Sequence, residues 1–491
     1  MAISFNEVPN AIRNPFVYVE FDGSRAFSGP SIMPYKSMVF GQMLAAGSAV
    51  AGLPVLVTSA DRAAELFGSG SLLHRQFMAW FANNDITPVW AYPFADPVGS
   101  NQAEGSITFG GSADVSGTLA VYIAGERVQV GVKSGDSLAD IAAALVTAIG
   151  QKPNLPITAQ VNGSTAEQVD ITAKNGGPLG NDISIAVNVF GEETPGSLTT
   201  SIVAMTGGSG LPDFSSAWTN LGDEHYNVWV VPYTDAVSLT EVEGELDDRN
   251  SPLRQIDAVA FAAMSGTVSA LQTFGDGRNS RFISVMATQK SVTPAFEVGA
   301  AYAAVAAKNL QNDPARPLQT LELDGVVAPA ETDRFTRQER NILLFDGVAT
   351  SYVDAGGKVR IERAITMYQE NAFGADDIAY LDINTLFTLS YLRYDFRNYF
   401  LTKYPRHKLA NDGTRFGAGQ AVITPKIGKA EAVRRFREWE RLGLVEGIDQ
   451  FKNDIIVERN QQDPNRLDFM LPPDLVNQLR VVGAQIKFLL D

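Results

Sequence analysis

Between residues 227 and 328 the chain alternates four apolar runs, at 227–233, 257–264, 281–288 and 318–327, with stretches of helical spacing at 238–249, 267–274 and 294–311. The last of these is rich in alanine and opens on Pro294, a residue suited to the start of a helix. The order β-α-β-α-β-α-β predicts a mostly parallel sheet, because parallel neighbours need crossover helices and those helices cover both faces. Upstream, 37–41, 54–58 and 88–92 read as further strands of the same sheet, and 72–82 as a helix.

Both ends of the chain read as lone strands. Residues 12–21 place Val17, Val19 and Phe21 on one side and Phe16, Tyr18 and Glu20 on the other; near the far end Val482, Ala484, Ile486, Phe488 and Leu490 share a face. A lone strand leaves its backbone N–H and C=O groups unpaired, so each end needs a host sheet.

Residues 101–208 differ in texture. They are rich in Gly, Ser and Thr, with short strand candidates at 105–109, 118–123, 127–132, 157–161, 169–173 and 183–189 around one helix at 137–149. With ten acids against four bases they are acidic, and the flanking stretches 95–102 and 205–212 read as linkers. This segment is expected to be a β-rich domain inserted into the α/β core. After residue 335 the chain becomes aromatic, and 391–442 carries twelve Lys or Arg against five Asp or Glu. Within it, 429–442 reads as an amphipathic helix: Ala430, Val433, Phe436, Trp439 and Leu442 would bury one face, and Arg434, Arg437 and Arg441 would form an exposed basic stripe. The stripe fits either an acidic partner or an ordinary solvated face with Glu431–Arg435 and Arg434–Glu438 pairs along the helix.

Composition narrows the function classes. The 491 residues exceed what one core organises, and 45 % hydrophobic with 19 % charged residues is a globular balance. A formal charge of -16 argues against nucleic acid as a partner. Cysteine is absent, which excludes disulfides and thiolate chemistry, and the three histidines, His74, His225 and His407, lack zinc-site spacing. The start shows no export signal, and the small-apolar stretch 295–307 is interrupted by Glu297 and too short to span a bilayer, so a cytoplasmically made chain without membrane insertion is expected. Phosphate-loop, dinucleotide and nucleophile-elbow motifs are missing, and Gly207-Gly208-Ser209-Gly210 and Gly68-Ser69-Gly70 suit turns. The acidic pairs Asp247-Asp248, Asp376-Asp377 and Glu192-Glu193 point their neighbouring side chains apart, and His225 has no nameable nucleophile.

The opening Ile3-Ser4-Phe5 through Ile12-Arg13-Asn14-Pro15-Phe16-Val17-Tyr18-Val19-Glu20-Phe21, the glycine-rich insertion, and the ending Phe469-Met470-Leu471-Pro472-Pro473 followed by Gln485-Ile486-Lys487-Phe488 resemble the tail sheath family of Mu-like contractile bacteriophages over nearly the whole chain. The resemblance implies a mixed α/β, multidomain structural protein without enzyme activity, cofactor or metal. Its expected layout is an N-terminal arm (1–24), an α/β core (25–100 and 209–335), the inserted β-rich domain (101–208), a C-terminal α+β domain (336–475) and a C-terminal arm strand (476–491). It implies hexameric rings stacked around a tail tube, contraction that drives the tube through the host envelope during genome delivery, and baseplate and tail terminator proteins as further partners. The place is the virion, after assembly in the bacterial cytoplasm. Phe16, Val17, Tyr18, Val19 and Phe21 with Val482, Ala484, Ile486 and Phe488 become inter-subunit arms, and Lys429, Arg434, Arg435, Arg437 and Arg441 a tube-facing set. The family's middle region has been likened to a subtilisin-type fold, but no Asp, His and Ser trio can be assigned.

Two other readings stay open on the residues alone. One is an α/β hydrolase with an inserted β lid, which would bring His225 or His407 to a serine and a carboxylate. The other is an adhesin or capsid-like module whose end strands pair within their own chain.

Overall fold

The computed structural model describes residues 33–417 and 419–489, so the expected strand at 12–21 lies outside the described residues. The chain divides into two compact units: residues 34–390 together with the segment from 477 onward, and residues 391–476.

The larger unit begins with β1 (Ser37–Gln42), β2 (Val55–Val57), α1 (Ala60–Phe67), α2 (Leu72–Asn83) and β3 (Val89–Phe94). The acidic insertion follows, with β4 (Gln102–Gly110), β5 (Gly117–Ile123), β6 (Glu126–Val132), α3 (Leu138–Gly150), β7 (Ile157–Val161), β8 (Gln168–Gly176), β9 (Ile185–Val187) and β10 (Thr199–Thr206). The chain then returns through α4 (Ser215–Leu221), β11 (Val228–Val230), α5 (Ala236–Asn250), β12 (Val259–Met264), α6 (Val268–Asp276), β13 (Ile283–Ala287) and α7 (Ala295–Asn312).

The central sheet has the order β13-β12-β11-β1-β3-β2, with every pair parallel except β2–β3. Its strands are buried apolar runs, as a sheet covered on both faces requires. The expected strand at 318–327 does not join it. The outer edge of β13 is already taken, since Ala287 N–H donates to Ala349 O, Ala349 N–H to Val285 O and Met367 N–H to Ile283 O. Residues 320–323, following Pro314 and Pro317, pair instead with β15 (Val359–Arg363) through Thr320 N–H to Ile361 O and Leu323 N–H to Val359 O.

The insertion builds two sheets, β10-β4-β8-β7 and β6-β5-β9, packed with α3. Every strand and the helix expected there is present; β10 lies partly in a stretch that reads as a linker. Ser137 caps α3 by accepting from Asp140 N–H while Asp140 reaches back, a capping box that the sequence Ser-Leu-Ala-Asp encodes. The flanking segments are not loose either. Asn101 and Ser209 exchange backbone hydrogen bonds at 2.9 and 3.1 Å, and Gly210, at φ 99°, passes so near Ser100 that a Cβ would sit 2.8 Å from its side chain. One hydrophobic core runs from Phe40, Tyr92 and Trp229 of the central sheet to Ile107, Leu119, Val130 and Leu145 of the insertion.

Within α9 (Ile383–Lys403) the chain passes into the smaller unit, an α+β arrangement of α10 (Pro425–Arg441), α11 (Ile448–Asp454) and short strand pairs, among them the hairpin of β19 (Ile456–Arg459) with β20 (Leu467–Met470). Its core includes Phe436 stacked on Phe451 at 4.1 Å between ring centroids, and Phe396 and Phe400 against Phe469.

Candidate interaction surfaces

The basic helix expected at 429–442 is α10. Thr424 accepts from Ile427 N–H and Pro425 occupies the first turn, so the helix starts a full turn earlier than the apolar spacing indicates. Its buried face consists of Gly428, Ala432, Arg435, Phe436 and Trp439. Three expectations therefore change: Ala430 and Leu442 are exposed, and Arg435 is buried. The guanidinium of Arg435 donates to the buried carboxylate of Asp395 at 3.0 and 2.5 Å and lies over the ring of Tyr399, while Trp439 Nε1 donates to the same Asp395 oxygen at 2.7 Å. An arginine driven into a core must bring a counter-charge and hydrogen bonds, and Asp395 supplies both. Arg435 therefore cannot face a partner.

A second contact locks the helix's roll. Glu431 accepts from Lys403 Nζ and Tyr404 OH at 2.8 Å each and from Tyr399 OH. Burial works against its charged form, but the bonds from Lys403, Tyr399 and Tyr404 prevail and hold its pKa below the usual value. Lys429, half-buried, donates to Ile455 O at 3.0 Å. Arg434, Arg437 and Arg441 are exposed as expected, and Lys426, two turns before Arg434, extends their line. Arg441 pairs with Glu438 at 3.0 Å.

The C-terminal segment is the second surface. After the pairing of Val445 with Leu475, no strand is formed from 477 to 489. Leu479 O accepts from Gln319 Nε2 at 3.2 Å, and Arg480 Nη2 donates to Asp382 Oδ1 at 2.9 Å and Asn384 Oδ1 at 3.3 Å. Beyond that point Val482, Ile486 and Phe488 are 77, 88 and 77 % exposed, and Ala484 is exposed with them. The N-terminal residues Phe16, Val17, Tyr18, Val19 and Phe21 lie outside the described residues.

The histidines hold backbone and rings. His74, buried, accepts at Nδ1 from Gly70 N–H at 3.0 Å, and burial, with Arg75 and Lys174 nearby, lowers its pKa to about 4. His225 Nε2 lies 2.8 Å from Asp257 O, and the His407 ring packs edge-on against Tyr404. Among the described residues no helix is long and apolar enough to cross a membrane.

A mixed α/β fold with a buried parallel sheet, a β-rich stretch sharing its core and an exposed apolar tail sets the class: a multidomain mixed α/β protein. Two family models match the sequence, the phage tail sheath protein central domain over residues 207–367 and the phage tail sheath C-terminal domain over 375–488. The chain is 42 % identical over 491 residues, all of both chains, to the Mu-like prophage FluMu tail sheath protein of Haemophilus influenzae. In fold it is similar to a sheath tail protein from Listeria innocua, with a TM-score of 0.50 and 13 % identity over 92 % of this chain and 94 % of that one. It is similar also to the sheath of an extracellular contractile injection system in its contracted state, with a TM-score of 0.50 and 10 % identity over 98 % of each. The chain belongs to the phage tail sheath family, a family of structural proteins and not of enzymes.

Proposed function

We propose that the protein polymerises as stacked hexameric rings around a tail tube, joined by strand exchange between terminal arms, and that contraction of this sleeve drives the tube through the host envelope during genome delivery. The observation that carries the reading is the tail from 481 to 489, whose apolar side chains stand in water while its backbone makes no pairing among the described residues. A soluble chain exposes such a stretch at the risk of aggregation unless another chain covers it. Strand addition covers it well, because backbone pairing holds whichever way the attached body is turned. Ten extended residues reach about 33 Å, enough for a neighbour. The hairpin β19–β20, whose cross-strand pair Ile456–Met470 is about half exposed, offers such a strand open edges.

The stripe of Arg434, Arg437 and Arg441, continued by Lys426, faces an acidic tube through screened contacts, weak enough for one surface to slide along another. Baseplate and terminator proteins close the two ends. The polymer assembles in the bacterial cytoplasm and acts in the virion. The domain layout given above, with 101–208 as an insertion and 476–491 as an arm, is part of the same proposal.

Truncation after Arg480 tests the arm. The shortened chain is expected to remain a folded subunit with unchanged melting and to form no tubes by electron microscopy; ordered tubes from it would overturn strand exchange by this end.

A further inference from the structure

One side chain of the tail is held in. The Arg480 side chain is 14 % exposed, between Leu479 at 70 % and Val481 and Val482 at 83 and 77 %. What holds Arg480 is a framework, not a loop. Asp382 also binds Arg363 at 3.1 Å and bridges to Ile365, and Asn384, fully buried, donates to the carbonyls of Pro314 and Arg316 at 2.8 Å each. Gln319 adds a hold on the Leu479 carbonyl. Past the clamp, Gly483 is the first residue without a side chain, and a Cβ there would meet nothing within 4 Å.

Resting on the strand-exchange reading, we propose that Leu479 and Arg480 are the fixed anchor of the C-terminal arm and that Val481–Gly483 are its hinge. The arm's root stays on its own body, the stretch from Ala484 onward pairs with a second copy, and rotation between copies is concentrated on three residues. A hinge needs few residues if its flanks are held. Here one flank is held by a salt bridge to its own body and the other by a ladder in the neighbour. The Arg480 Nε and Nη1 donors are buried without partners, so the anchor acts through Nη2, and a single-ended charge at this position serves it as well.

Trypsin tests the anchor on the free subunit, because the tail holds two cleavage points, Arg480 and Lys487. Cleavage after Arg480 is expected to be at least tenfold slower than after Lys487, to stay slow in Arg480→Lys, and to approach the Lys487 rate in Asp382→Asn. Gln319→Ala, which leaves both arginines paired to Asp382, gives a smaller rise. Equal rates at the two points in the unaltered chain would overturn the anchor. The hinge is read on the polymer by spin labels on single cysteines, Val482→Cys or Ile486→Cys, in a chain without other cysteine. A mobile label at 482 with an immobile one at 486 supports it, and equal immobility overturns it. Mobility at both positions in the polymer would instead overturn strand exchange while the trypsin result on the anchor stood.

Discussion

The β-rich stretch from β4 to β10, called the insertion above, and the C-terminal tail spend their apolar residues in opposite ways. The insertion closes on itself and on the core. Asp96 accepts from Gln42 Nε2 at 2.7 Å, Asn175 Nδ2 at 2.9 Å and Gly176 N–H at 2.9 Å, and Asn175 in turn takes Leu72 N–H at 3.0 Å. Arg75 of α2 donates to Glu297 of α7 at 2.8 and 2.9 Å, to the Ala124 carbonyl at 3.1 Å and to Glu126 at 3.1 Å, the last two in the insertion. The tail has its clamp at Arg480 and then leaves valine, isoleucine, phenylalanine and leucine uncovered. Burial with satisfied polar groups belongs to the stability of one chain, and apolar surface left in water belongs to association. Changes in the first region should therefore show in melting and changes in the second in assembly.

The largest break is expected at Arg75. Arg75→Met leaves Glu297 buried without its partner, and removing one half of a buried pair costs about 3–5 kcal/mol, which urea unfolding would read as a lower midpoint at unchanged slope. Acid should act on the same junction through His74. Its folded pKa lies near 4, below the ordinary 6.5, so the unfolded chain binds the proton first. Stability is then complete above pH 6.5 and is lost as pH falls from there toward 4, by on the order of 3 kcal/mol. In His74→Gln the stability lost between pH 6.5 and 4 should be smaller by that amount; an equal loss in both chains would count against it. Asn175→Ala comes next. It leaves Leu72 N–H without its acceptor, while Asp96 Oδ1 keeps Gln42 Nε2, at about 1–3 kcal/mol, and would be read by the same unfolding curves.

The sequence makes the insertion more legible than the surfaces. Its strands alternate and its turns are rich in glycine, so 157–161 is found at those bounds, and a capping box marks α3. Local pattern does not carry what depends on distant residues. The run 318–327 has the composition of a strand, yet Ala349 and Met367 hold the sheet edge it would need. Arg434 and Arg435 are neighbours of one type, and which of them turns inward is decided by Asp395, about forty positions earlier. Periodicity places the arginines at 434, 437 and 441 on one face but does not reach Lys426, because the apolar spacing hides the turn that Thr424 and Pro425 begin. For the tail the shared apolar face at 482–488 is plain in the sequence, and among the described residues the chain's own contacts leave it exposed.

The smallest expected effect on stability separates the two regions most sharply. Ile486 and Phe488 are 88 and 77 % exposed and make no packing contact that folding depends on, so Ile486→Ser with Phe488→Ser should move the unfolding free energy by less than about 0.5 kcal/mol. Under strand exchange these side chains enter a neighbour's sheet, and each loses transfer free energy of about 1.5–3 kcal/mol when replaced by a small polar residue. Two per contact, repeated along a polymer, should raise the concentration needed for tubes by two or more orders of magnitude while the melting curve stays where it was. Light scattering against concentration measures the first and calorimetry the second. A lowered melting temperature with normal tubes would mean that the tail folds back to serve its own body as the insertion does, and the contrast between the two regions would be gone.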